Sequence, residues 1–122
     1  MRLPLLALFP AAFALLAPAP ERAFAHAIIS GSSPAAGATV KGPAVTLTLR
    51  YNSRIDQERS RLTLIGPDGK PRPLTLQPAD APDTLSAKAS GLRPGAYKLH
   101  WQVLAIDGHI TRGDIPFHVT AP

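Results

Sequence analysis

Nowhere between residues 26 and 122 does the chain keep a helical apolar period over 10 to 15 residues without meeting Pro or Gly; apolar side chains recur instead at every second position in short runs. A period of two belongs to a strand with one buried face, whereas a helix needs apolar residues three and four apart. Val45, Leu47, Leu49 and Tyr51 share one parity, and Thr46, Thr48 and Arg50 take the other. Leu62 and Leu64, Leu74 and Leu76, and Leu85, Ala87 and Ala89 repeat the pattern. The longest run goes from Ala96 to about Ile106, with Tyr97, Leu99, Trp101, Val103 and Ala105 on one face and Lys98, His100, Gln102 and Leu104 on the other. Ile115, Phe117 and Val119 form its expected partner, with Pro116, His118 and Thr120 facing outward. Pro116 marks that strand as an edge or as bulged, since proline cannot donate to a ladder.

Turn signals punctuate these runs: Gly31 to Pro34, Lys41-Gly42-Pro43, Gly66-Pro67-Asp68-Gly69, Pro78 to Pro82, Gly91 to Gly95, and Asp107-Gly108. About seven short strands at this spacing predict an all-β fold, either an immunoglobulin-like β-sandwich or a small Greek-key β-barrel, with Trp101 near the centre of the core. With 122 residues the chain has room for one such domain.

Residues 1–25 read as a segment apart from that domain. Arg2 gives a positive start, Leu3 to Ala19 is an apolar stretch, and Ala23-Phe24-Ala25 is an A-x-A cleavage site. These are the three regions of a signal peptide. A membrane-spanning helix is the rival reading, but Pro4, Pro10, Pro18 and Pro20 interrupt the run, and it falls short of the ~20 residues a span needs. Cleavage after Ala25 leaves a domain of residues 26–122, exported to a soluble destination.

The chain has no Cys, and its one Met is Met1, which leaves with the leader. The domain must therefore fold on its apolar core without disulfides. It also offers no thiolate or thioether, the donors that Cu(I) sites want. Removing Arg2, Glu21 and Arg22 leaves a net charge of +4, and the remaining basic residues are scattered. Arg54, Arg59 and Arg61, the densest group, are interleaved with Asp56 and Glu58 and read as a solvated loop. No stripe suited to nucleic acid emerges. Nor does any hydrolase pattern such as G-x-S-x-G or H-E-x-x-H, and the expectation is a protein that is not an enzyme.

Cleavage after Ala25 makes His26 the first residue. One residue then carries a free α-amine and an imidazole that can close a chelate ring on one metal ion. The two groups ordinarily titrate near ~7.7–8.0 and ~6.5, so both offer lone pairs around neutral pH. Nitrogen-rich sites of roughly square geometry suit Cu(II). The bland alternative is a His that happens to follow the cleavage site. Asp107-Gly108-His109 is the second element: in extended chain, residues two apart project to one side, so Asp107 and His109 reach a common ion. Its alternative is a plain hairpin turn, since Asp-Gly is a favoured turn pair.

Taken in order, these residues resemble the CopC family of exported copper-binding proteins. His26-Ala27 followed by Ser33-Pro34-Ala35-Ala36-Gly37-Ala38 resembles the family's opening. Gly91-Leu92-Arg93-Pro94-Gly95-Ala96-Tyr97 with Trp101 resembles its L-x-x-G-x-Y-x-x-x-W segment, and Asp107-Gly108-His109 with Gly113 its D-x-H-x-x-x-G signature. The resemblance implies one Cu(II) per chain, held by the amine and imidazole of His26, the carboxylate of Asp107 and the imidazole of His109. It also implies a periplasmic carrier or buffer in copper homeostasis or resistance, monomeric, with a CopD-like inner-membrane copper transport protein as partner. Two positions depart from the pattern: Ala27 and Ile110 stand where the family often has Pro.

Two other functions fit parts of the sequence. A His-brace copper oxidase or monooxygenase uses a similar chelate, but such enzymes are generally larger and present a broad substrate face. A metal-free sandwich interaction module would treat His26 as accidental and D-G-H as a turn. His100 and His118 are expected on outward faces of neighbouring strands, as a cross-strand pair or simply solvated.

Overall fold

The computed structural model describes residue 2 and residues 27–122; the apolar leader, the cleavage site and His26 lie outside the described residues. Nine strands follow in chain order: β1 (Ile29–Ser33), β2 (Thr39–Lys41), β3 (Val45–Tyr51), β4 (Ile55–Ile65), β5 (Pro71–Pro73), β6 (Leu76–Gln77), β7 (Thr84–Ala89), β8 (Gly95–Ala105) and β9 (Ile110–Thr120). They form a four-stranded sheet ordered β1-β3-β7-β6 and a five-stranded sheet ordered β2-β9-β8-β4-β5. The all-β sandwich expected from the period-two pattern is the fold.

Alternation decides which face each strand buries. Every residue assigned inward on β3, β8 and β9 is buried, from Val45 to Tyr51, from Tyr97 to Ala105 and from Ile115 to Val119. With Leu62, Leu64, Leu85, Ala87, Ala89 and Leu92 they make one continuous core between the sheets. A core of this kind replaces the disulfides the chain lacks, because burial of apolar surface is the main favourable term in folding.

Three details differ from the expectations of the sequence. Gly31 to Ser33 are not a turn but part of β1, which pairs antiparallel with β3 and is irregular between Ile29 and Gly31. That irregularity breaks the alternation and hides the strand. Arg59 and Arg61, expected in a loop, lie on β4, where the register with β8 shifts between Asp56 and Arg61; the bulge leaves Glu58 and Arg59 exposed in succession. Pro116 lies on a strand that is flanked on both sides in part: β2 pairs in parallel with residues 118–120 of β9 only. Pro116 precedes that pairing, and its C=O accepts from Gly37 N–H at 2.7 Å. A strand residue directs its N–H and C=O to the same side, so the missing N–H faces away from β8 and costs no bond of the β8–β9 ladder.

Candidate metal centre

The D-G-H sequence is the tip of the β8–β9 hairpin. Gly108 N–H donates to Ala105 C=O at 2.9 Å and Ala105 N–H donates to His109 C=O at 2.8 Å, which closes the turn. Gly108 has a φ of +91°, in the left-handed region that glycine enters without steric cost. The segment is therefore turned and not extended, which corrects the geometry expected from the sequence. The turn still brings the pair together. Asp107 Oδ1 accepts from His109 N–H at 3.0 Å, and Asp107 Oδ2 lies 3.0 Å from His109 Nδ1. The hairpin turn is what the structure shows, and within it the two side chains are in contact.

The contact with Asp107 fixes the imidazole. With Nδ1–H donating to the carboxylate, Nε2 is the ring nitrogen that carries the lone pair. A carboxylate holding one ring nitrogen so that the other meets the metal is the usual support of a metal-binding histidine. The side chains of His109 and Asp107 are 47% and 31% exposed, so both meet solvent among the described residues.

Among the described residues no group of three His, Cys, Asp or Glu comes together. The third expected donor, His26, lies outside them, but the residues bonded after it are well placed. Ala27 is buried, 1% exposed, and its C=O accepts from Thr111 Oγ1 at 3.0 Å. Ile28 N–H donates to Asn52 Oδ1 at 2.9 Å, and Ile28 C=O accepts from Asn52 N–H at 2.9 Å. Thr111 stands two residues after His109 on β9, and Asn52 directly follows β3. The start of the domain is thus fastened to both sheets beside the D-G-H turn. Thr111 shares the inward parity of Ile115, a signal that the sequence carries; nothing in the sequence marks Asn52.

Further along the hairpin, Trp101 stands opposite Gly113 in the β8–β9 register and meets the ring of Tyr51 edge-on, with centroids 5.4 Å apart at 70°. Burial pushes the Tyr51 phenol well above its ordinary value, so it stays neutral. The other two histidines are elsewhere. His100 opposes Asp114 and His118 opposes Ala96, so they do not form the cross-strand pair expected as one option. His100 Nδ1 is 2.7 Å from Asp114 Oδ1 on the outer face of the five-stranded sheet. Six residues lie between His100 and Asp107, and from His100 to the end of β8 at Ala105 the strand runs roughly 17 Å, which keeps His100 out of the turn.

Comparison with known proteins agrees with this fold. Residues 29–120 match the model of the CopC domain family. The chain is 30% identical over 99 residues to Protein YobA of Escherichia coli K12, covering 79% of this chain and 80% of the relative. It is 33% identical over 105 residues to Copper resistance protein C of Xanthomonas campestris pv. juglandis, covering 80% and 82%. Among solved structures, CopC from Methylosinus trichosporium OB3b superposes with a TM-score of 0.70 at 27% identity, covering 79% of this chain and 95% of that one. PcoC, a methionine-rich copper resistance protein from Escherichia coli, shares the fold with a TM-score of 0.64 at 24% identity, covering 79% and 100%.

Proposed function

This chain belongs to the CopC family, and on that premise we propose that it is an exported protein that holds one Cu(II) and carries or buffers it in the periplasm. Cleavage after Ala25 yields the working domain, residues 26–122. Its donors are the α-amine and imidazole of His26, a carboxylate oxygen of Asp107 and Nε2 of His109. The observation that carries the reading is the 3.0 Å contact between Asp107 and His109 at the hairpin tip. It presents one imidazole nitrogen and an anionic oxygen at an open end of the molecule, beside the point where the domain begins.

The donor set determines which copper it takes. Imidazole, amine and carboxylate suit Cu(II), whereas Cu(I) wants soft sulfur, and residues 26–122 contain no Cys or Met. A chain without sulfur does one job, holding Cu(II), and does not exchange copper between two oxidation states at two sites. The roles that follow are delivery to a CopD-like membrane protein or protection from free copper, by a monomer without catalytic activity. The reading is tested by competing the protein against a Cu(II) chelator of known affinity. His109→Ala is expected to weaken binding by at least tenfold and Asp107→Asn by less, while His100→Ala leaves it unchanged. Equal affinity in all three variants contradicts the assignment and favours the metal-free interaction module.

A further inference from the structure

Residue 26 reaches the D-G-H turn only if the residues after it are held, because a chain terminus is ordinarily mobile unless tied down. Two side chains hold them. Thr111 Oγ1 donates to Ala27 C=O at 3.0 Å across 84 residues of sequence. Asn52 Oδ1 accepts from Ile28 N–H at 2.9 Å across 24 residues, reinforced by the backbone bond from Asn52 N–H to Ile28 C=O. The gripped carbonyl belongs to Ala27, the residue bonded directly after residue 26 in the chain.

We propose that Thr111 and Asn52 are positioning residues for the copper site: their hydrogen bonds to Ala27 and Ile28 hold the amine and imidazole of residue 26 at the Asp107–His109 pair. Neither side chain is a ligand. They act by raising the effective concentration of the terminal donors at the turn, since an oriented donor binds as part of the same molecule and not as a free one. The division of labour follows the fold. Asn52 directly follows β3 of the four-stranded sheet and Thr111 belongs to β9 in the five-stranded sheet, so Ala27 and Ile28 are fixed against both layers. Thr111 lies on the strand into which the D-G-H turn leads, which ties the two halves of the site to one element.

The inference rests on the copper-site reading above, and its test separates the two. The protein beginning at His26, its N-acetylated form, and Thr111→Val, Thr111→Ser, Asn52→Ala and Asn52→Asp variants are loaded with one equivalent of Cu(II). The rate of copper loss to excess EDTA is followed, along with nitrogen couplings in the electron paramagnetic resonance spectrum and the melting temperature without copper. Thr111→Val and Asn52→Ala are expected to lose copper about tenfold faster with weakened nitrogen couplings. Thr111→Ser keeps the donor and Asn52→Asp the acceptor, so both are expected near the parent rate. A merely structural role lowers the copper-free melting temperature without changing the copper signal. Parent-like copper loss from Thr111→Val and Asn52→Ala, beside an acetylated form that has lost tight binding, overturns this inference alone. Parent-like copper loss from the acetylated form overturns both it and the ligand assignment.

Discussion

The indole of Trp101 packs on the backbone of Gly113, its opposite number on β9: a Cβ added at residue 113 would stand 2.5 Å from Trp101 Cζ2 and 2.9 Å from Nε1. The Gly of the D-x-H-x-x-x-G pattern is thus the floor under an indole, four residues from His109, and its conformational freedom is not the point. Gly113→Ala is expected to force the indole off its place and to destabilise the fold by about 1–3 kcal/mol, the usual cost of overpacking. Gly31→Ala is the control, since nothing lies within 4 Å of a Cβ there, and it is expected to stay within about 0.5 kcal/mol. Denaturant unfolding of the two variants followed by Trp101 fluorescence checks the difference. Equal stabilities contradict it.

Tyr51 offers a second, opposite prediction. Its ring is 1% exposed, and its hydroxyl is buried without a hydrogen-bond partner among the described residues. An unpaired buried hydroxyl costs more than it returns. Tyr51→Phe keeps the edge contact with Trp101 and removes the orphan oxygen, so stability is expected to be unchanged or raised by up to about 1 kcal/mol. A lower urea midpoint would show that the hydroxyl is bonded in solution.

The fold is legible in the amino-acid sequence wherever alternation is intact. β3, β8 and β9 bury strictly alternating residues, and the inward face of each follows from its parity. β1 and the first half of β4 are hidden, because an irregularity in each shifts the parity and a shifted strand resembles a loop. β5 and β6 cover three and two residues, too short for any period to show. At the site the D-G-H pattern marks the two residues that meet, yet it suggests an extended segment where the chain turns. The turn closes through backbone bonds from Ala105 and Gly108, which sequence spacing does not encode. Asn52 is invisible for a different reason, since its partner Ile28 is 24 residues away and joined to it only by folding.

Copper binding is expected to weaken steeply as pH falls from about 7 towards 5. The amine and both imidazoles bind metal only without their protons, so each proton competes with the ion and the loss compounds across the donors. The sign is therefore tighter binding at higher pH through this window. Chelator competition at half-unit pH intervals measures it, and a flat profile contradicts a donor set built on two histidines and an amine.

The central claim is that one Cu(II) is held through the residue that begins the domain. Its most direct test is a Cu(II) titration followed by electron paramagnetic resonance, on protein whose mass shows that it starts at His26, alongside the same protein carrying one extra N-terminal residue. The account predicts a single type-2 centre per chain with nitrogen couplings, lost from the extended protein because its amine at residue 26 has become an amide. The same tight centre in both proteins, or weak binding at several sites in each, would contradict it.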